Sequence, residues 1–243
     1  MTETNRTVAV LKQLVPEFLK PLLRPFYRAA RFGYGKLTHR PDSRDALHDY
    51  WRNPPDAGNF PTDYLHGGGR SPYLVELVGR HIGPAGRRAR ILEVGCNIGR
   101  NLAALHGAGY TDLTGIEINA DALRLLREHF PEVARTADLR NSPVEEAIKT
   151  LRDGEFDLIY TMAVLEHIHR DSEWVFAEMA RATGNILITI EDEQGFSHRH
   201  FPRSYDKVFT RFGLTQIESH ECTDIEGLGG GFFARVFRAP ARR

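Results

Sequence analysis

The sequence predicts an α/β protein with a doubly wound, mostly parallel sheet of seven strands and one antiparallel edge strand. Two observations carry this prediction. From Ser71 onward, short apolar runs alternate with amphipathic segments, which is the pattern of parallel strands covered by helices on both faces. The last two predicted strands have no helix between them, so we expect them to pair antiparallel at one edge.

Composition divides the chain into three zones. Residues 1–40 contain eight basic and two acidic residues, a net charge of +6, and prolines interrupt their helical pieces, which predicts a basic helical extension. Residues 41–70 are rich in Pro, Gly, Asp and aromatic residues, which predicts an irregular lid with one helical turn. Residues 71–243 are predicted to form the α/β domain.

The individual elements follow from local signals. Ser71 as N-cap and Pro72 at the first helical position begin a helix, and Asn119 and Asp171 cap two later ones. The predicted strands are, in order, RARILEVG, DLTGIEI, a short segment at 137–139, FDLIYTMA, NILITI, TQIESHE and GFFARVFRA.

Charge and cysteine content limit the partners. The formal net charge is zero and no basic patch accompanies the α/β domain, so we predict no nucleic-acid binding. Two cysteines give no disulfide framework, and no run of 18 apolar residues occurs, so we predict a cytoplasmic protein. For residues 1–40, packing as extra helices, peripheral contact with an anionic membrane and docking of a partner stay open.

The stretch EVGCNIG is a strand-to-helix turn that contains Gly95 and Gly99. Glycines at this point let the backbone approach a ligand at the carboxyl end of a parallel strand, although a tight turn without a ligand is the alternative. Glu93 would repel a phosphate and suits a cationic or hydroxyl-bearing ligand. Glu117 follows Gly95 by 22 residues, close to the offset of about 20 residues at which an acid accepts ribose hydroxyls.

Two other nucleotide-binding patterns fail. The dinucleotide fingerprint G-x-G-x-x-G would need glycine at Asn97 and Arg100, and no G-x-x-x-x-G-K-[ST] loop occurs. The sequence therefore gives no support for a nicotinamide-dependent oxidoreductase or a P-loop nucleotidase.

EVGCNIG, GIEIN and FDLIYTMAVLEHI, in this order and spacing, resemble the motifs of class I S-adenosylmethionine-dependent methyltransferases. The resemblance covers roughly residues 70–238. It implies a Rossmann-like fold and S-adenosylmethionine as cofactor. In that family the glycine turn faces the methionine part, the acid ending the second strand holds the ribose, and the loop after the third strand meets the adenine.

Carried onto this chain, the resemblance implies that Glu117 accepts the ribose hydroxyls and that Glu93 acts on the methionine ammonium, directly or through water. Arg70 or Ser71 is expected to meet the cofactor carboxylate. Asn97 stands where the family often has a glycine, and Asn tolerates left-handed backbone. The predicted cofactor contacts are Arg70, Glu93, Gly95, Cys96, Asn97, Gly99, Glu117, Ile118, Asn141, Ser142 and Met162.

Methyl transfer from a sulfonium needs alignment, and it needs a base only when the acceptor carries a proton that it cannot shed. His167, Glu191 and His200 are the predicted catalytic residues. The alternatives stay open: His167 bonded to local backbone, and Glu191 in a solvated acidic loop. His198 and His200 lack a third ligand at suitable spacing, so we predict no metal.

Tyr50, Trp51, Tyr64 and His198 are the predicted acceptor contacts, with simple packing as the alternative for the aromatic residues. The sequence therefore predicts methyl transfer to an oxygen or nitrogen of a small-molecule acceptor of the natural-product or glycan type. The alternative is a non-catalytic regulator with the same fold that docks a membrane or a partner through its basic N-terminus. The oligomeric state is not predicted.

Overall fold

The computed structural model describes residues 41–55, 58–65, 68–82 and 86–241. The predictions for residues 1–40 lie outside these ranges. No helix within them combines the length and apolarity needed to cross a bilayer. In chain order the elements are α1 (Arg44–Arg52), α2 (Arg70–Ile82), β1 (Ile91–Val94), α3 (Arg100–Gly107), β2 (Leu113–Glu117), α4 (Ala120–His129), α5 (Pro131–Thr136), β3 (Asp138–Asn141), α6 (Val144–Ala147), β4 (Phe156–Met162), α7 (Trp174–Ala182), β5 (Thr183–Asp192), α8 (Tyr205–Arg211), β6 (Thr215–Glu221) and β7 (Phe232–Arg238).

The seven strands form one sheet in the order β3-β2-β1-β4-β5-β7-β6. Strands β1 to β5 pair in parallel, and β7 is antiparallel to both of its neighbours. The predicted mostly parallel sheet with one antiparallel strand is confirmed, with β7 inserted one place inside the edge strand β6. Because the chain runs from β1 out to β3 and returns at β4 beside β1, the connection order reverses between β1 and β4. Ligands of such sheets bind at this reversal.

Both faces of the central strands are buried, which explains why their sequences are apolar without alternation. Ile91 and Leu158 belong to the core on one face of the sheet, together with residues of α2 and α3. Leu92 and Ile159 belong to the core on the other face, together with residues of α7. Each strand therefore contributes to two hydrophobic layers.

Two of the three predicted helix starts differ from the structure. Helix α2 begins at Arg70, one residue before the predicted cap, and the Ser71 hydroxyl instead donates to Asn101 Oδ1 at 2.7 Å. Asp171 lies in a 3₁₀ turn, Arg170–Ser172, ahead of α7, so it does not cap that helix. The Asn119 cap is confirmed, since its side chain accepts the amide of Ala122 at 3.1 Å.

Residues 41–70 are more regular than predicted. Ser43 accepts the amide of Ala46 at 3.3 Å and begins the nine-residue helix α1, which buries Leu47. The helix stops before Pro54 and Pro55, which cannot continue it. A 3₁₀ turn, Pro61–Tyr64, follows.

Candidate functional site

A cavity of about 410 Å³ opens where β1, β2 and β4 end, at the reversal of the connection order. Two of its sides differ in composition. The turn side consists of the glycine turn, residues 95–99, with the carboxyl ends of β1 and β2. The histidine side consists of Trp51, Glu166, His167 and His200. Among the predicted cofactor contacts, the cavity is lined by Arg70, Glu93, Gly95, Cys96, Asn97, Glu117, Ile118, Ser142 and Met162.

The glycine turn is held in a conformation that disfavours side chains. Gly95 and Gly99 have φ of 75° and 73°, and Asn97 has φ of 47°. A Cβ added at Gly95 would lie 2.4 Å from Cγ2 of Val164 in the loop after β4. The amides of Gly95 and Cys96 donate to the carbonyl of Ile116 at 2.8 and 3.0 Å, which fixes the turn against β2.

Glu117 is the last residue of β2, and its carboxylate is fixed by backbone donors. Oε2 accepts the amide of Asn97 at 2.8 Å, and Oε1 accepts the amide of Asn119 at 2.8 Å. Burial raises the pKa of Glu117, and backbone hydrogen bonds oppose that shift. Each oxygen can accept a second hydrogen bond, so this group can receive two hydroxyl donors without moving.

Glu93 lies within β1, and the register of β1 with β4 sets it opposite Tyr160. The Tyr160 hydroxyl donates to Oε2 at 2.9 Å, and Nδ2 of Asn101 donates to Oε1 at 2.8 Å. Burial raises the pKa of Glu93 to about 8, against the effect of these two hydrogen bonds. A cationic group entering the cavity would favour the ionised form of this carboxyl.

Two guanidinium groups lie at the first residues of two helices, Arg70 in α2 and Arg100 in α3. Arg100 donates through Nε to Ser71 Oγ at 3.2 Å and through Nη1 to the carbonyl of Tyr64 at 3.1 Å. Arg70, the first residue of α2, lines the cavity at the same end. Burial and the charge of Arg70 lower the pKa of Arg100. This end of the cavity therefore suits an anionic group such as a carboxylate.

Asn141 and Gly99, both predicted cofactor contacts, are not among the lining residues. The Asn141 amide donates to the carbonyls of Glu117 and Ile118 at 2.9 and 3.1 Å, so it fastens the end of β3 to the end of β2. Gly99 is the N-cap of α3 and packs under Leu126. Ser142 does line the cavity.

On the histidine side, the His167 ring is held by a backbone carbonyl of the loop after β5. Its Nδ1–H donates to the carbonyl of Arg199 at 2.8 Å, because a carbonyl can only accept. Burial, and then the neighbouring His200, lower the pKa of His167 to about 3. The ring is therefore neutral and keeps a lone pair on Nε2. This backbone partner lies 32 residues along the chain, so it is not the local bond given above as an alternative, and it leaves Nε2 available for a chemical role.

Glu191 does not fit the predicted role of base. Its side chain is fully buried and is absent from the cavity lining. Oε2 accepts the amides of Val164 and Leu165, both at 2.9 Å. Glu191 therefore acts on the loop that carries Glu166 and His167, as a positioning residue, because a carboxylate beneath a turn satisfies amides that the turn leaves unpaired.

The four predicted acceptor contacts separate into two pairs. Trp51 and Tyr64 line the cavity, and the Trp51 ring lies 4.6 Å from that of His167. Tyr50 and His198 are not among the lining residues. Both instead contact Arg199, whose guanidinium carbon lies 3.8 Å from the Tyr50 ring centroid and whose Nη1 lies 2.8 Å from His198 Nε2.

Sequence reasoning missed Asn101, Tyr160 and the pair formed by His48 and Glu145. His48 Nε2 lies 3.1 Å from Glu145 Oε1, a hydrogen-bond contact between α1 and α6 at the cavity. The sequence could have indicated Asn101 and Tyr160, because both are polar residues in stretches predicted to be buried. Such groups need partners, and Glu93 is the buried carboxyl to which both donate.

A doubly wound sheet with a glycine turn and an acid ending the second strand, both lining one cavity at the reversal, defines a nucleoside-binding α/β protein. A family model for a methyltransferase domain matches residues 92–185. Together with the fold and the cavity, this match supports the resemblance of the chain to the class I S-adenosylmethionine-dependent methyltransferases.

Curated relatives match the same part of the chain. The ubiquinone biosynthesis O-methyltransferases of Aromatoleum aromaticum and Methylococcus capsulatus are 29% and 31% identical over 121 residues, 49% of this chain in both cases. The matched segment spans only about half of each relative, 50% and 49%. The O-antigen chain terminator bifunctional methyltransferase/kinase WbdD of Escherichia coli is 36% identical over 86 residues, 34% of this chain and 12% of that protein.

Solved structures share the fold over a longer range. Magnesium protoporphyrin IX methyltransferase from Synechocystis aligns with a TM-score of 0.62 over 83% of this chain and 98% of that chain, at 14% identity. The [4+2]-cyclase SpnF aligns with a TM-score of 0.62 over 84% of this chain and 99% of that chain, at 15% identity. At this identity the likeness is one of fold, and the fold leaves the reaction open.

Proposed function

We propose that this protein transfers the methyl group of S-adenosylmethionine to a hydroxyl oxygen of a small-molecule acceptor of the natural-product or glycan type. The observation that carries the proposal is the pair of buried carboxyls, Glu93 and Glu117, on either side of the glycine turn in one cavity. A carboxyl suited to a cation and a carboxyl suited to two hydroxyls match the chemistry of the cofactor, which carries an ammonium on its methionine part and two hydroxyls on its ribose.

In this proposal the turn side holds the cofactor. Glu117 accepts the two ribose hydroxyls, Glu93 faces the methionine ammonium, and Arg70 meets the methionine carboxylate. Ser142, beyond the end of β3, is the proposed adenine contact. These groups fix both ends of the cofactor, so the sulfonium between them has a defined direction for an in-line displacement.

The acceptor is proposed to occupy the histidine side. Trp51 offers an aromatic face to a ring, and the Nε2 lone pair of His167 lies beside it. A neutral imidazole can receive the proton of a hydroxyl as its oxygen attacks the methyl carbon. Oxygen is favoured over nitrogen because the two ubiquinone biosynthesis relatives are O-methyltransferases, and the glycan class is supported by the O-antigen relative.

Isotope-labelled S-adenosylmethionine incubated with the full chain and separate panels of phenols, sugars and amines tests this function. We expect a labelled methyl ether and an equal amount of S-adenosylhomocysteine with at least one hydroxyl panel. Labelled product only in the amine panel would contradict the choice of oxygen. Failure of the protein to bind S-adenosylhomocysteine in calorimetry would contradict the cofactor site itself.

A further inference from the structure

The loop between β6 and β7, residues 222–231, packs against the start of α2, where Arg70 lies. Glycines on both segments permit the close approach. A Cβ added at Gly68 would lie 2.7 Å from Glu226 Cδ, and a Cβ added at Gly227 would lie 2.8 Å from Arg70 Nε. Two segments that are distant in sequence are therefore in contact at the same end of the cavity that Arg70 lines.

The loop is fixed on both sides of Gly227, which has φ of 83°. Ile225 and Leu228 are partly buried and pack against the core on the α2 face of the sheet. The amide of Leu228 donates to the carbonyl of Ile225 at 3.1 Å, and the amide of Phe232 donates to the carbonyl of Gly229 at 3.1 Å. Two apolar contacts and two turns therefore hold the backbone of Gly227 in place against Arg70.

Arg70 is held by packing rather than by hydrogen bonds. Within the described ranges, its guanidinium makes no hydrogen bond or ion pair. Arg100, the other cation at this end of the cavity, instead donates to Ser71 and to the carbonyl of Tyr64. A long side chain loses rotamer freedom when it binds a ligand, and packing that limits its rotamers beforehand reduces that loss. The contact with Gly227 supplies such packing.

We propose that the loop between β6 and β7 positions Arg70 for the carboxylate of the cofactor's methionine part, with Gly227 as the positioning residue. The inference rests on the proposed function, because the cofactor is the ligand of Arg70 in that proposal. The absence of a side chain at Gly227 leaves the space that the Arg70 side chain occupies. A methyl group added there would displace the guanidinium, so it would weaken only ligands that carry the amino-acid part.

Calorimetry on the full chain with two ligands tests this role. S-adenosylhomocysteine carries the amino-acid part, whereas methylthioadenosine has the same adenine and ribose without it. We expect Gly227→Ala to bind S-adenosylhomocysteine about fivefold more weakly and methylthioadenosine as tightly as the parent. Gly213→Ala is the matched control, because Gly213 has φ of 87° and nothing lies within 4 Å of an added Cβ. We expect this control to bind both ligands like the parent.

A double-mutant cycle shows whether Gly227 acts through Arg70. We expect Arg70→Met to bind S-adenosylhomocysteine about tenfold more weakly than the parent, and Gly227→Ala to add no further loss in that background. Leu228→Ala loosens the loop without adding backbone strain, and we expect the same loss, again confined to S-adenosylhomocysteine.

Losses that multiply in the double variant, or equal losses for both ligands in Gly227→Ala and Leu228→Ala, would overturn the positioning role and leave the proposed function standing. The same holds if Arg70→Met binds S-adenosylhomocysteine as tightly as the parent. A parent protein that binds neither ligand would overturn the proposed function, and the inference with it.

Discussion

The turn side of the cavity is built from a short part of the chain, whereas the histidine side is assembled from three separate parts. Residues 93–119 contain the glycine turn and both carboxyls, and backbone amides of the same segment fix Glu117. Trp51 comes from α1, Glu166 and His167 from the loop after β4, and His200 from the loop after β5. Local sequence can specify the first side, but only the tertiary pairing of β4 with β5 creates the second.

The two sides also use their carboxyls differently. Glu117 and Glu93 line the cavity, whereas Glu191 lies beneath the loop after β4 and accepts its amides. A buried carboxylate can therefore act as a binding group or as a support for a loop. A carboxylate that lines the cavity can bind a ligand, whereas one buried beneath a loop can only support that loop.

The largest expected effect lies on the turn side. Glu117→Ala removes the proposed acceptor of two ribose hydroxyls and leaves the amides of Asn97 and Asn119 without their partner. We expect affinity for S-adenosylhomocysteine to fall about 100-fold, close to 3 kcal/mol, as for two lost hydrogen bonds to a charged group. Calorimetry measures the change, with the exposed Asp121→Ala on α4 as control. Equal affinities of Glu117→Ala and the parent would remove the ribose assignment.

The same contrast explains what the sequence could predict. The sheet, the glycine turn and the position of Glu117 follow from contiguous patterns, so periodicity and spacing find them. The partnership of Glu93 with Tyr160 depends on the register between β1 and β4, which no local pattern determines. Likewise, the sequence sets His200 beside His198, whereas its neighbour in space is His167, at a ring separation of 4.6 Å.

The glycine turn lies against the loop after β4, which carries Glu166 and His167, where Gly95 approaches Val164, and Gly95→Ala tests that contact. The added methyl would lie 2.4 Å from Cγ2 of Val164, at a φ of 75°. We expect a loss of about 3 kcal/mol in the free energy of unfolding, from backbone strain and overpacking together. Chemical denaturation measures it.

Gly213→Ala is the matched control for strain alone, because Gly213 has φ of 87° and nothing lies within 4 Å of an added Cβ. We expect that control to cost about 1 kcal/mol. Val164→Ala combined with Gly95→Ala should restore part of the loss by removing the overlap. Equal costs for Gly95→Ala and Gly213→Ala would show that the contact between the two sides is unimportant.

Glu93 links cofactor binding to stability. Its pKa in the folded protein, about 8, lies above its ordinary value of 4.5, so its contribution to stability is fully present below pH 4.5 and is lost as the pH rises through 8. Glu93→Gln keeps an acceptor for Asn101 and cannot ionise. We therefore expect this variant, without ligand, to be more stable than the parent by about 2 kcal/mol at pH 6 and equally stable below pH 4.5.

Denaturant titrations across this pH range measure the difference between Glu93→Gln and the parent. The same variant should bind S-adenosylhomocysteine about tenfold more weakly, because a neutral amide replaces the carboxylate proposed to face the ammonium. A stability difference that does not change with pH would show that Glu93 is ionised in the folded protein.

The smallest expected effect is at Asn141, where a substitution distinguishes direct contact with the cofactor from support of the end of β2. Asn141 was predicted to contact the adenine, but its amide is already used on the carbonyls of Glu117 and Ile118. If it acts only through β2, Asn141→Ala should weaken binding of S-adenosylhomocysteine about threefold, roughly 0.6 kcal/mol. Asp138→Ala, at the other end of β3, is the control and should leave the affinity unchanged. A loss as large as that of Glu117→Ala would mean that Asn141 turns its amide to the cofactor when the cofactor binds, because loosening one strand end cannot remove a whole ligand contact.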